Sequence, residues 1–179
     1  MIMSFLPTFK VFEMNNLCGL RNGHILANMP ADMESIAKVT VGGNDYIENG
    51  IILGLDAEGT VSNYDPSKHT VPFVHYTEEL LTYFNELRLF AEPVVDGVVY
   101  PRCIGLYVGD TFTTNNYTGE IEGNGYAKVT DGVLTLQADA EGAMFKATAS
   151  TLPDGSEAYE FLYLGVIEAI EEEVTEDGN

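Results

Sequence analysis

Tryptophan is absent from this chain, cysteine occurs twice, and only 8 of the 179 residues are lysine or arginine. Without Trp, any sugar-stacking surface has to be built from tyrosine. Cys18 and Cys103 leave no C-x-x-C spacing, so neither a metal knuckle nor a redox pair is expected, and two buried, reduced thiols are. The scarcity of cations beside 28 Asp and Glu gives a net charge of −20. Non-specific affinity for DNA or RNA comes from Lys and Arg displacing condensed counterions, so nucleic acid is excluded as a direct partner. No window reaches the apolar length of a membrane span, and Met1–Pro7 lacks both the basic start and the long apolar stretch of a signal peptide. A cytosolic product without membrane contact is expected.

What is present is enough for a core. With 45% hydrophobic residues, the chain fits one large domain or two small ones. The acidic excess is uneven: residues 1–90 carry 5 basic and 11 acidic side chains, net −6, and residues 91–179 carry 3 and 17, net −14. Charge of that sign gives solubility, resists unwanted association and steers the molecule toward basic partners.

Along the chain, residues 1–35 are the least regular. Thr8–Glu13 alternates like a strand, but Asn15, Asn16, Gly19, Asn22 and Gly23 break any period, which predicts an irregular arm. The pattern is β-like from Ile36–Val41, through a turn at Gly42–Asp45, to Ile51–Leu55, closed by the Asp56–Gly59 turn. Thr77–Phe90 reads as an amphipathic helix. Thr77 is its N-cap, Glu78 and Glu79 lie in its first turn, and Leu80, Tyr83, Phe84, Leu87 and Phe90 share one face. Pro93 ends it, and Asp96-Gly97 then suits the type I′ turn of a hairpin over Val94–Val99.

After Pro101 short strands follow one another at Ile104–Val108, Thr111–Thr114, Tyr126–Thr130, Val133–Gln137, Met144–Ala149 and Tyr159–Val166. Asp131-Gly132 and Pro153-Asp154-Gly155 supply turns. The fold class is therefore mainly β, an antiparallel barrel or sandwich with one helix at about 77–90. The β-rich body spans 36–167, divisible into barrel-like units of about 36–100 and 101–167, with an acidic tail at 168–179. The tetrapeptide Asp-Ala-Glu-Gly occurs after a glycine-led strand at both 56–59 and 139–142, a weak internal echo.

Catalytic chemistry finds little support. His24, His69 and His75 show no H-x-x-x-H or H-E-x-x-H spacing, and His69 and His75 meet only if the Val71–Val74 segment bends. Asp56, Glu58, Asp139 and Glu141 follow no twelve-residue calcium loop and read as solvent-facing turns. Phosphate-binding loops, nucleophile elbows and dinucleotide fingerprints are absent from the sequence. The expectation is a protein that is not an enzyme, with no catalytic residue, cofactor or metal.

Val108–Asn115, reading Val-Gly-Asp-Thr-Phe-Thr-Thr-Asn, opens an ordered set of segments. It is followed by Gly125–Leu136, by Phe145-Lys146, and by Leu152-Pro153-Asp154-Gly155 through Phe161. Together with Gly50–Gly59, Thr70–Phe90 and Tyr100–Tyr107, this set resembles head-associated structural proteins of tailed bacteriophages, of the capsid decoration or auxiliary type. The resemblance covers residues 48–166. It implies a virion component bound to the major capsid protein, made in the host cytoplasm. Packaged DNA would repel a chain at −20, so the outer capsid surface is the expected face. A homo-oligomer such as a trimer is expected at a symmetry axis. Two alternatives follow from the residues: a glycan-binding β-sandwich using Tyr117 and Tyr126 for host recognition, and an acidic assembly factor.

Overall fold

The computed structural model describes residues 10–21, 23–41, 43–77, 91–153 and 155–165. Thr77 apart, the predicted helix lies outside the described residues, as does the acidic tail. Among the described residues the protein is mainly β, and its single α-helix is one turn, α1.

The chain begins with β1 (Phe12–Asn16), α1 (Cys18–Arg21), β2 (Ile25–Leu26), β3 (Val39–Val41) and β4 (Asn44–Glu48). Next come β5 (Ile52–Leu55), β6 (Val61–Asn63), β7 (Phe73–His75), β8 (Ala91–Pro93) and β9 (Cys103–Gly105). The last third supplies β10 (Thr111–Thr114), β11 (Tyr117–Thr118), β12 (Gly125–Thr130), β13 (Val133–Gln137), β14 (Phe145–Thr151) and β15 (Glu157–Tyr163).

These strands form three sheets. The large one has seven strands in the order β1-β10-β15-β14-β12-β13-β11 and curls into a half-barrel. A middle sheet of five runs β2-β9-β7-β5-β6, and a small sheet runs β3-β4-β8. Pairing is antiparallel throughout except between β11 and β13.

Local sequence accounts for the large sheet. In β13 the residues alternate, with Leu134 and Leu136 buried and Val133, Thr135 and Gln137 half-exposed, the period a one-sided strand requires. Asp131 and Gly132 join β12 to β13 with φ of 49° and 79°, the pair of positive angles that defines a type I′ hairpin turn. Phe112, Phe145 and Phe161 are fully buried and form a triangle of rings with centroids 5.8 to 6.3 Å apart. Each such side chain contributes about 1.5–3 kcal/mol by leaving water.

The middle sheet is buried on both faces. Ile52 of β5 and Ile104 of β9 join the core of the large sheet, while their neighbours Leu53 and Cys103 join a second core with Ile47, Ile36 and Val99. Neighbouring side chains on a strand point to opposite faces, so a strand between two cores reads as a continuous apolar run. Ile51-Ile52-Leu53-Gly54-Leu55 is such a run.

Part of the expected N-terminal arm is built into these sheets. β1 pairs with β10, β2 pairs with β9, and Ala31 bridges Val61. The period is broken there because the segments are short and join different sheets. The turn expected at Gly42–Asp45 is shifted: Asn44 and Asp45 already pair in β4, and Gly43 takes the positive φ, 84°. β6 and β7 were not anticipated. The two Asp-Ala-Glu-Gly segments close different turns, Gly59 N–H donating to Asp56 O and Ala143 N–H to Ala140 O.

Candidate functional site

The polar residues of the Gly109–Asn116 run are fasteners. Asp110 is fully buried; its two carboxylate oxygens accept from Cys18 N–H at 2.8 Å and Tyr107 N–H at 3.0 Å. Thr114 Oγ1 donates to Val11 O at 2.6 Å, and Asn115 Oδ1 accepts from Val11 N–H at 2.7 Å. Asn116 Nδ2 donates to Asn49 O at 2.8 Å. These groups tie Val11, α1 and the β4–β5 turn to the β10 region of the large sheet, and each satisfies a backbone group that burial would otherwise penalise.

The most concentrated polar geometry lies at the edge of the middle sheet. Residues 65–69 make one helical turn, with Lys68 N–H and His69 N–H both donating to Asp65 O. That turn lays the His69 ring over β5 at Gly54, where a Cβ would stand 2.2 Å from the imidazole. Only glycine leaves room for the ring. His69 Nδ1 accepts from Asp65 N–H at 2.9 Å, which assigns the proton to Nε2. Nε2 meets Asp56 Oδ1 at 2.7 Å and Ser62 Oγ at 3.3 Å. Burial pushes the Asp56 carboxyl up, but hydrogen bonds from His69, Ser62 and Thr60 outweigh it and hold Asp56 below the usual aspartate value.

Ser62, His69 and Asp56 do not make a nucleophile relay. Such a relay needs the serine and the carboxylate on different ring nitrogens, and here both address Nε2 while a backbone amide occupies Nδ1. The arrangement clamps the β5–β6 hairpin to the 65–69 turn. It forms one wall of a cleft of about 490 Å³ with Asp32, Tyr64, Lys68 and Asp131 around it. Among the described residues no cluster of three His, Cys, Asp or Glu has metal-holding geometry.

The structure places the three histidines separately. His24 Nδ1 lies 2.5 Å from Tyr107 Oη, and His75 is fully buried in β7 with Nδ1 3.0 Å from Arg102 O. Burial pushes the His75 imidazole down to about 4, against the opposite pull of backbone groups at Arg102 and Ile47. Asp139 and Glu141 sit in one exposed turn, held by Gln137 Nε2 donating to both of their carbonyls. Asp56 is taken by His69, whereas Glu58 is exposed. Cys18 is half-buried and Cys103 buried, and the two are not joined in a disulfide.

Tyr117 and Tyr126 part company. Tyr117 packs edge-to-face on Tyr159 at 5.1 Å, where edge strand β11 curls toward β15. With Glu120, Ile121, Ser150 and Glu157 they line a groove of about 640 Å³. Tyr159 Oη donates to Ile121 O at 3.3 Å. Burial, then the proximity of Tyr159 and Glu157, raises the Tyr117 phenol above its ordinary value. Tyr126 pairs with Gln137 and Lys146 in mid-sheet instead. Sequence reasoning missed Ser62 because its partners Asp56 and His69 come from a hairpin end and a turn that meet only in the folded chain, and Tyr159 because it meets Tyr117 from a strand 42 positions away. Gly54 inside an apolar run was the one local sign that something approaches that backbone closely.

Comparison with protein-family models, with curated proteins and with solved structures returns no match for this chain.

Proposed function

We propose that this protein is a non-enzymatic virion component of a tailed bacteriophage, bound to the major capsid protein on the outer face of the shell. The observation that carries the reading is where the phage-like segments lie. Val108–Asn115, Gly125–Leu136 and the segments from Phe145 to Phe161 contribute to β10, β12, β13, β14 and β15, which are consecutive neighbours in one curled sheet, while Gly50–Gly59 and Tyr100–Tyr107 contribute β5 and β9 of the middle sheet packed on it. Sequence segments from the C-terminal part of the set that become neighbouring strands of one sheet are the kind of object a fold family preserves. The polar residues Asp110, Thr114, Asn115 and Asn116 are spent on fastening the sheet to neighbouring segments. The net charge of −20 favours a position away from packaged DNA and a basic docking surface.

Mass spectrometry of purified particles should find the chain, and cryo-electron microscopy should place it outside the shell. Absence from particles, or density only on the DNA side, would overturn the reading.

A second reading is favoured by the Tyr117–Tyr159 groove. Two half-exposed rings beside Glu120 and Glu157 offer an apolar face and acceptors for sugar hydroxyls. A glycan array should then give a saturable binder that Tyr117→Ala weakens. An array without any binder ends this reading and leaves the first untouched.

A further inference from the structure

Three of the most exposed large apolar side chains fall within six residues. Val95 is 63% exposed, Val98 47% and Tyr100 51%. Val95 and Val98 exchange backbone hydrogen bonds, N–H to O, at 3.2 and 3.0 Å. Directly opposed residues of a hairpin send their side chains to the same face. Between them Asp96 and Gly97 turn the chain with φ of 53° and 75°. The result is a narrow apolar knob with a carboxylate at its tip.

At the outer side of the middle sheet lies a cleft of about 340 Å³ lined by Leu55, Ala57, Thr70, Val71 and Phe73, with Lys68 on its rim. Val71 is 43% exposed, so the cleft and the knob do not cover one another within one chain. The Lys68 side chain is 69% exposed and its ion pair with Asp65 is long, 3.6 Å, an arrangement worth little in water and readily shared with a second carboxylate.

We propose that the knob of one copy seats in the cleft of the next, with Val95 and Val98 against Val71 and Phe73 and Asp96 against Lys68. The chemistry on the two sides is complementary: apolar to apolar, one carboxylate to one ammonium. On a surface of net charge −20, a cation beside an apolar cleft is an uncommon landing place for an acidic knob. Because the two surfaces are different, the contact is head-to-tail, which closes into a ring or runs on as a filament. The contact involves this chain alone and stands apart from the capsid reading.

Sedimentation velocity of the isolated full chain, from micromolar to near-millimolar concentration, tests it. The wild type should associate reversibly. Val95→Asp on the knob and Val71→Asp in the cleft should each weaken association roughly tenfold or more, as removal of a central apolar anchor does, with unchanged far-UV circular dichroism.

The charges discriminate further. If association depended only on overall repulsion, Asp96→Lys would strengthen it by reducing the net charge. The seated geometry demands the reverse, a weakening of about 2- to 5-fold for Asp96→Lys and for Lys68→Glu alone, recovered when the two are combined. A mass of one chain at every concentration overturns the proposal. So does association indifferent to Val95→Asp, or a double charge variant no better than the worse single one. If the isolated chain stays monomeric while Val95→Asp abolishes attachment to particles, the knob's occupant is the shell and not a second copy.

Discussion

In the seven-stranded sheet the large, fully buried side chains are Phe112, Phe145, Phe161 and Leu134, whereas around the middle sheet His75 and Asn49 are buried as completely as Ile52 and Leu53. The first interior gains most of its stability from area removed from water, and its buried Asp110 and Thr114 are held at one edge by hydrogen bonds to Cys18, Tyr107 and Val11. The second places a neutral imidazole and an amide among its central side chains, and its geometry is specified by hydrogen bonds such as His75 to Arg102 O and Asn49 to Thr77. Aromatic burial resists pH; imidazole burial does not. The two interiors should therefore be weakened by different insults, lost aromatic volume in one and acid in the other, while their shared core makes the molecule unfold as one.

The largest effect is expected in the aromatic triangle. Phe112→Ala removes a ring that touches Phe12, Phe145 and Phe161, and should cost about 3–5 kcal/mol in urea unfolding. Ile52 and Ile104 of the middle sheet share that core, so both sheets should unfold together. A loss below 1 kcal/mol, or a separate transition for the middle sheet, would break the picture of a shared interior.

Acid should find the middle sheet. His75 has an ordinary value of 6.5 and a folded value of about 4, so between those pH values the unfolded chain binds a proton that the folded one refuses. Stability is whole above pH 6.5 and falls as the pH drops toward 4, by up to about 3 kcal/mol. Asp32, Asp56 and Asp65 are held below 3.8, so their contribution is lost only under more acidic conditions. Urea midpoints measured across this range should slope for the wild type and lose that slope in His75→Gln. A slope unchanged in the variant would assign the titration elsewhere.

A more local break separates close packing from polar clamping. Gly54→Ala drives a Cβ into the His69 ring and should destabilise by about 1–3 kcal/mol, the usual range for overpacking. In a His69→Ala background the same change should cost much less, because the two residues share one volume. Equal costs in both backgrounds would mean that the ring is not seated on β5.

The difference between the sheets also explains what could be read in advance. β10 and β13 are legible to the residue, β13 because Leu134 and Leu136 alternate with half-exposed neighbours, and β10 because its β-branched threonines flank Phe112, although Thr113 and Thr114 are buried with it. The Asp96-Gly97 and Asp131-Gly132 turns carried their own backbone signature. β6 and β7 were illegible. Each has three residues, too few for a period, and they bury Ser62 and His75, which no hydropathy pattern places inside. The clamp of Asp56, Ser62 and His69 was equally hidden, because its members come from β5's end, β6 and a turn, and meet only once the sheet has formed. The sequence offers Tyr117 as a glycan contact, but its partner Tyr159, 42 positions away, carries no such sign.

The smallest effect is expected at the rim of the large sheet, where polar groups sit near water. Tyr159→Phe keeps the ring against Tyr117 and deletes only the hydroxyl that donates to Ile121 O at 3.3 Å. The bond is long and water can replace the lost donor, so the cost should be about 0.5–1 kcal/mol. Burial of the same kind of donor in the middle sheet would make its loss dearer. If Tyr159→Phe instead cost as much as Gly54→Ala, the curl that brings β11 toward β15 would depend on that hydroxyl, and this rim of the large sheet would be held by a polar contact and not by ring packing.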